Sequence, residues 1–143
     1  MIVLDANILL YAYDADSPFH IKSKAWLEQT LSSGSLVGMP WQTITAFLRI
    51  TTNTNLPGRR FSPVEACDIV ESWLQVPSLV LLQPTNDFWR LWRETIVLGQ
   101  AKGNLITDAQ LAALAINYGA TLATNDRDFA RFPGLRTLNP LVP

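Results

Sequence analysis

Short apolar runs alternate with amphipathic stretches along the 143-residue chain, and the two patterns predict strands and helices in turn. Residues 1–4 read as a buried strand, and Ile8-Leu9-Leu10-Tyr11-Ala12-Tyr13 as a short buried helix. A turn over Asp14 to Pro18 leads to a helix over residues 20–31, marked by the spacing of Ile21, Ala25, Trp26 and Leu27 and stopped at Gly34. Leu36-Val37-Gly38 is a second strand, and Trp41, Ile44, Phe47, Leu48 and Ile50 lie at the spacing of another helix. A polar loop over residues 51–60 carries the breakers Pro57 and Gly58. Ser62, Pro63 and Glu65 then have the spacing of an N-cap, a first helical proline and a capping-box glutamate.

In the second half, residues 78–82 predict a third strand, and Thr85 caps a helix bearing Phe88, Trp89, Leu91, Trp92 and Ile96. Residues 99–106 read as a loop. Thr107 with Gln110 fits a capping box, so the next helix is expected to begin at Thr107, bury Leu111, Leu114, Ala115 and Tyr118, and end at Gly119. Strand 121–124, a short helical turn over 126–132 and an edge strand over 135–138 complete the pattern. Strands alternating with helices imply right-handed crossovers. The expectation is one α/β domain over residues 1–143, with a mostly parallel central sheet flanked by helices; strand order does not follow from the pattern.

Composition adds bounds. Hydrophobic residues make up 48% and charged residues 16%, against about 25% charged in an average soluble domain. Such lean charge points to a partner or dimer surface. Trp73, Trp89 and Trp92 are read mostly as core, with interface as the alternative. A net charge of −1 excludes a generic polyanion binder but leaves room for a local phosphate contact. Cys67 is the only cysteine; it excludes a disulfide framework and a thiolate metal site, and is read as a buried, inert thiol. No signal-type segment precedes the first strand and no apolar run nears the ~18 residues of a membrane span. A cytoplasmic protein without a membrane partner is expected.

Candidate chemistry lies in three aspartates. Asp5 ends the first strand, Asp126 follows the strand over 121–124, and Asp108 stands at the start of the helix between them in sequence. Singly, each has a structural explanation: an Asx-turn, a helix-dipole partner, a helix cap. Together they face the crevice at the C-terminal strand ends where open α/β sheets bind ligands. Carboxylates gathered there repel, so either some are protonated or a cation sits between them. Oxygen-only donors favour Mg²⁺ or Mn²⁺ over zinc. Asp128 either joins the site or pairs with Arg127 or Arg131. Asn7, Asn125 and Thr124 are candidate donors to carboxylates or phosphates, with structural roles as the alternative. Arg49, Arg59, Arg60, Lys102 and Arg127 are candidate phosphate contacts, Arg59-Arg60 foremost. The sole histidine, His20, cannot build a zinc site or a nucleophilic triad, and no phosphate-binding glycine motif occurs. The chemistry most often run by acid-rich Mg²⁺ sites is phosphoryl transfer.

The opening Ile2-Val3-Leu4-Asp5-Ala6-Asn7-Ile8-Leu9-Leu10-Tyr11, the run Thr107-Asp108-Ala109-Gln110-Leu111-Ala112-Ala113-Leu114-Ala115, and Thr124-Asn125-Asp126-Arg127-Asp128-Phe129 resemble three motifs of PIN-domain ribonucleases, in order and across nearly the whole chain. In size and style the chain is most similar to VapC toxins of toxin–antitoxin pairs. That resemblance implies a three-layer α/β/α sandwich and a Mg²⁺- or Mn²⁺-dependent endoribonuclease. Its products would be 5′-phosphate and 3′-hydroxyl ends. It also implies an RNA substrate, inhibition by a VapB-type antitoxin and a homodimer. Asp5, Asp108 and Asp126 carry over as catalytic, metal-site carboxylates, and Asp128 as a further ligand. The chain departs from the pattern at Ala46: the family often has glutamate three residues before the arginine, here Arg49. Losing that carboxylate weakens cation binding, unless water or Thr43 fills the gap. Two rivals remain: a catalytically weakened RNA- or antitoxin-binding module on the same fold, and a phosphatase or phosphoacceptor using Asp5 as nucleophile.

Overall fold

The computed structural model describes residues 1–58 and 60–143. Along the chain run β1 (Ile2–Leu4), α1 (Ala6–Ala12), α2 (His20–Ser32), β2 (Val37–Pro40), α3 (Trp41–Thr51) and α4 (Pro63–Leu74). Then come β3 (Leu79–Leu82), α5 (Phe88–Leu98), α6 (Leu105–Asn117), β4 (Thr121–Ala123), a 3₁₀ turn (Arg127–Arg131) and β5 (Arg136–Leu138). The strands form a single sheet in the order β3-β2-β1-β4-β5, and every pairing is parallel. This is the expected α/β class with a parallel central sheet.

Helices cover both faces because successive strand residues point to opposite sides. Val3 turns into a core with Phe88, Leu111, Ala112, Ala115 and Phe129 from the α5–α6 side. Leu4 turns into a second core with Leu9, Leu27, Phe47, Val70 and Trp73 from the α1–α4 side. Phe47 and Trp73 meet edge to face at 4.7 Å between ring centres, and the Trp73 indole N–H donates to the Tyr13 hydroxyl at 2.9 Å. In α6 nearly every residue from Ala109 to Ala115 is buried. Its small alanines let the helix lie close on the sheet, and this fixes where its first turn emerges.

Several local expectations hold and several are corrected. The capping box at Ser62 forms in both directions, Ser62 Oγ accepting from Glu65 N at 3.2 Å and Glu65 Oε1 from Ser62 N at 2.9 Å. By contrast, α6 begins two residues before Thr107: the turn at Gly103, with φ of +57°, directs Leu105 N–H to Lys102 O and Ile106 N–H to Gly103 O. Thr85 does not cap α5. Its hydroxyl instead donates to Asn117 Oδ1 at 3.1 Å, and Asp87 occupies the cap position. In α2 the buried face is Ser23, Leu27 and Thr30, while Ile21 is 82% exposed; Ser23 is drawn inward by its 2.7 Å hydrogen bond to Ile8 O. Cys67 is exposed, because its neighbour Ala66 shares the inward face of α4 with Val70 and Trp73. Trp89, 62% exposed, is surface rather than core, and the Tyr118 ring lies at the surface with its hydroxyl donating to Gln83 O.

Gly99 ties the end of α5 to the loop that delivers α6. A Cβ there would meet the Phe132 ring at 2.5 Å and the Thr95 carbonyl oxygen at 2.9 Å. Gly99→Ala is expected to destabilise the fold by about 1–3 kcal/mol, the usual cost of overpacking, read as a lower urea midpoint with unchanged slope.

Candidate active site

The strand order reverses between β1 and β4, the place where open α/β sheets form a ligand crevice at their carboxyl ends. Leu4 pairs with Ala123 across these strands, and the Asp5 N–H donates to Ala123 O at 3.1 Å. The next residues of each strand, Asp5 and Thr124, therefore meet side by side. Asp5 is the N-cap of α1, its Oδ1 accepting from Ala6 N–H at 2.7 Å. Its Oδ2 accepts from the Thr124 hydroxyl at 2.7 Å. Thr124 Oγ1, 4% exposed as a residue, also accepts from Asn7 Nδ2 at 3.2 Å and from Asp126 N–H at 3.0 Å. Two incoming donors occupy its lone pairs, so its single proton is directed to Asp5.

Asp5 and Asp108 line one cleft of about 280 Å³, together with Gln42, Thr43, Ala46, Arg49 and Asn104. Asp126 lines an adjoining cleft of about 200 Å³ with Thr124, Asn125, Arg127 and Asn139, and its Oδ1 accepts from Asp128 N–H at 2.9 Å. The helix-capping explanation of Asp126 is thus realised. The three aspartates do not close on one point. Among the described residues no group of three or more His, Cys, Asp or Glu side chains stands close enough to share an ion. Their fields nonetheless overlap. The Asp108 carboxyl is pushed up to about 6 by burial first, then by the charges of Asp126, Asp5 and Asp128, against the opposing pull of Arg131. Burial also raises Asp5, countered by the Thr124 and Ala6 hydrogen bonds and reinforced slightly by Asp126.

A family model for the PIN domain matches residues 2–135. The chain belongs to the PIN-domain family. It is 37% identical over 140 residues to ribonuclease VapC37 of Mycobacterium tuberculosis, covering 98% of this chain and 97% of that one. It is 34% identical over 137 residues to ribonuclease VapC48 of the same organism, covering 95% and 94%. VapBC2 from Rickettsia felis, solved bound to a DNA fragment from its promoter, shares the fold with a TM-score of 0.72 at 22% identity, over 97% of this chain and 98% of that one. So does M. tuberculosis VapC20, a sarcin–ricin loop cleaving toxin, with a TM-score of 0.66 at 19% identity, over 95% and 99%.

Of the family motifs, the structure brings Asp5 and Asp108 to one cleft, sets Asp126 next to it, and leaves Asp128 exposed on the 3₁₀ turn. Ala46 faces the cleft, one helical turn before Arg49, so α3 brings no carboxylate to the cleft at that position. Thr43 does not fill it by donation, since its hydroxyl proton goes to Leu4 O at 2.8 Å. Arg49 lines the cleft, but Arg60 lies away from it, its guanidinium folded onto the carbonyls of Leu56 and Pro57; Arg59 lies outside the described residues. Asn7 turns its amide inward, to Thr124 and to Asn125 N–H at 3.4 Å, rather than into the cleft. Asn125 Oδ1 accepts from Asn139 Nδ2 at 2.8 Å. Sequence reasoning missed Gln42, Asn104 and Asn139. Gln42 was legible: with Ala46 and Arg49 it makes a stripe at i, i+4, i+7 on α3. It lies at the cleft edge, where its Nε2 donates to Thr107 O at 3.2 Å, next to Asp108.

The donor set suits a hard cation. Mg²⁺ is commonly held by one or two carboxylates with water completing its shell, and Asp5 and Asp108 supply two whose burial and mutual repulsion such an ion relieves. Because the Asp108 carboxyl is raised, its protonated form contributes stability that is full below the ordinary value of 3.8 and is lost as pH rises through about 6. Asp108→Asn is expected to stabilise the metal-free protein at pH 7.5 by about 1 kcal/mol after discount for solvent screening, or about 3 °C in Tm. The gain should vanish near pH 3.5, and saturating Mn²⁺ should raise the Tm of the parent but not of the variant.

Proposed function

We propose that this PIN-domain chain is a VapC-type endoribonuclease, the toxin of a toxin–antitoxin pair, and that Mg²⁺ or Mn²⁺ serves it at Asp5 and Asp108. The single observation that carries the metal reading is the pair of carboxylates turned into one small polar cleft at the switch point of the sheet. The ribonuclease names of relatives at 37% and 34% identity over nearly the full chain support the substrate class. A divalent ion bound there would lower the pKa of water and neutralise charge growing on the phosphate.

The chain's own groups complete the reading. Asp5 presents a carboxylate whose two oxygens are each held by one hydrogen bond, from Ala6 N–H and from Thr124, so its free lone pairs keep a fixed direction. That restraint supports the reading of Asp5 as a ligand over the phosphoacceptor rival, in which the carboxylate would have to swing onto phosphorus. Arg49, on the cleft wall, supplies the cation for a non-bridging phosphate oxygen. Asp126 acts from the adjoining cleft: its charge keeps Asp108 proton-hungry and favours a cation over an empty site. Asn7 and Thr124 serve this proposal as positioning residues, Asn125 with them, and not as contacts to RNA.

For partners, we propose a VapB-type antitoxin and a homodimer. The exposed apolar residues Trp89, Val97 and Leu98, which border one groove on α5 with Arg90, Arg93 and Glu94, support a protein-covered surface. Among the described residues no helix is long and apolar enough to cross a membrane.

Cleavage of a structured RNA panel by antitoxin-free protein is expected with Mg²⁺ or Mn²⁺ and not with EDTA. Asp5→Asn and Asp108→Asn should each reduce turnover by at least about 100-fold, since even outer-shell losses at metal sites cost 10–100-fold, with circular dichroism unchanged. Full turnover in EDTA would sink the metal reading; binding of RNA without cleavage by metal-loaded protein would favour the weakened binding module. Ala46→Glu restores a carboxylate to the cleft and should tighten Mn²⁺ about tenfold in calorimetry, equivalent to ~1.4 kcal/mol.

A further inference from the structure

Asn139 lies outside the family motifs, in the tail that follows the edge strand. The pairing of β4 with β5 brings it in: Ala123 pairs with Leu138, and the Thr124 N–H donates to Leu138 O at 2.9 Å. Asn139 therefore leaves the sheet beside Thr124. Its amide is fixed at both ends. Oδ1 accepts from Leu141 N–H at 3.0 Å, closing an Asx turn over Pro140, and Nδ2 donates to Asn125 Oδ1 at 2.8 Å. A backbone N–H can only donate, so the orientation of this amide follows from Leu141, and Asn125 must present its carbonyl.

From Asn125 the bonds run on toward the carboxylate. The Asn125 N–H donates to Asn7 Oδ1 at 3.4 Å, Asn7 Nδ2 donates to Thr124 Oγ1 at 3.2 Å, and Thr124 donates to Asp5 Oδ2 at 2.7 Å. At Asn125 the line passes from the side chain to the backbone N–H through the residue's own covalent frame, and from that N–H onward each link forces the sense of the next. With Asn7 Oδ1 accepting, its Nδ2 faces Thr124; with Thr124 accepting from Asn7 and Asp126, its proton faces Asp5. Leu141 anchors the far end, being 4% exposed, with its carbonyl near Lys22 Nζ at 3.4 Å.

We propose that Asn139 is a positioning residue of the active site, holding Asp5 for its cation through Asn125, Asn7 and Thr124. The tail thus belongs to the catalytic apparatus and is more than a cover on the sheet edge. This rests on the reading of Asp5 as a metal carboxylate.

The test uses Asn139→Asp and Asn139→Ser in the full chain. Either retains an oxygen for the Leu141 N–H, so the turn survives; the aspartate has no donor for Asn125, and the serine hydroxyl, although a donor, stops one bond short of the Nδ2 position that meets Asn125 Oδ1. Mn²⁺ alone is titrated into RNA-free protein by calorimetry, and kcat and KM are then measured on RNA. The expected result is Mn²⁺ binding about 3–10-fold weaker, below the 10–100-fold of a direct outer-shell partner because two further residues intervene. The value of kcat should fall in step, with KM for RNA unchanged within about twofold. Added negative charge near the site would by itself draw Mn²⁺ in, so weakening in the aspartate variant opposes the charge effect. Should the aspartate variant fail to fold, the serine variant carries the test. Mn²⁺ affinity and kcat equal to the parent, or Mn²⁺ bound more tightly, would overturn the proposal. Asp5→Asn is titrated in parallel. Mn²⁺ binding lost there but kept in the Asn139 variants defeats the role of Asn139 alone, whereas binding kept in Asp5→Asn defeats the metal reading and the proposal with it.

Discussion

The parallel pairing of β1 with β4 is the constraint on which the rest of the molecule depends. These strands come from opposite ends of the chain, and their register sets Leu4 against Ala123. From that single alignment follow the contact of Asp5 with Thr124 and the crevice at the reversal of strand order. The position of Asp126 beside the cleft follows too. The helices respond to it: Val3 and Leu4 sort the two hydrophobic cores, and α6, lined with alanine, lies flat enough to deliver Asp108 to the same edge. A slip of one residue would turn Asp5 away and exchange the two cores, so burial and site are specified together.

The cost of that arrangement is electrostatic. Asp5 and Asp108 are both partly buried; burial raises the proton affinity of each, the charge of Asp126 adds to both, and Asp5 and Asp128 add further at Asp108. Hydrogen bonds from Thr124 and from the first N–H of α1 offset part of the burden at Asp5 but none at Asp108. The Asp5 carboxylate is thus restrained by hydrogen bonds, whereas that of Asp108 is not. Ala46 adds no carboxylate on the α3 wall, leaving Arg49 opposite the acids without one a turn away.

The polar groups nearest the aspartates are spent on one another. Thr124, Asn7, Asn125 and Asn139 exchange hydrogen bonds in a line that leads away from the cleft, and Gln42 holds the carbonyl preceding Asp108. No buried side-chain nitrogen or oxygen among the described residues is left without a partner. In a low-dielectric surrounding such satisfied networks are stiff, and stiffness suits carboxylates that must keep their lone pairs aimed while repelling one another.

The alternation of apolar runs with amphipathic stretches determined the α/β class and most element positions, and marked the three aspartates as candidates, because periodicity and strand-end placement are local properties. Ser62, Pro63 and Glu65 were equally legible, since a capping box lies within one turn. What only the tertiary structure decided depends on residues distant in sequence. The strand order, and with it the switch point, follows from which helices cover which face. The start of α6 shifted from Thr107 because the turn at Gly103 completes a helical turn earlier than the capping signal suggests. Cys67 and Ile21 are exposed because Ala66 and Ser23 hold the inward positions, and Arg60 turned back to its own loop instead of reaching the acids. The distribution of Asp5, Asp108 and Asp126 over two adjoining clefts, and the reach of Asn139 toward Asp5, arise where β1, β4 and β5 meet. No local pattern encodes that meeting, because hydrogen bonds across 14 and 119 residues of chain exist only once the sheet has closed.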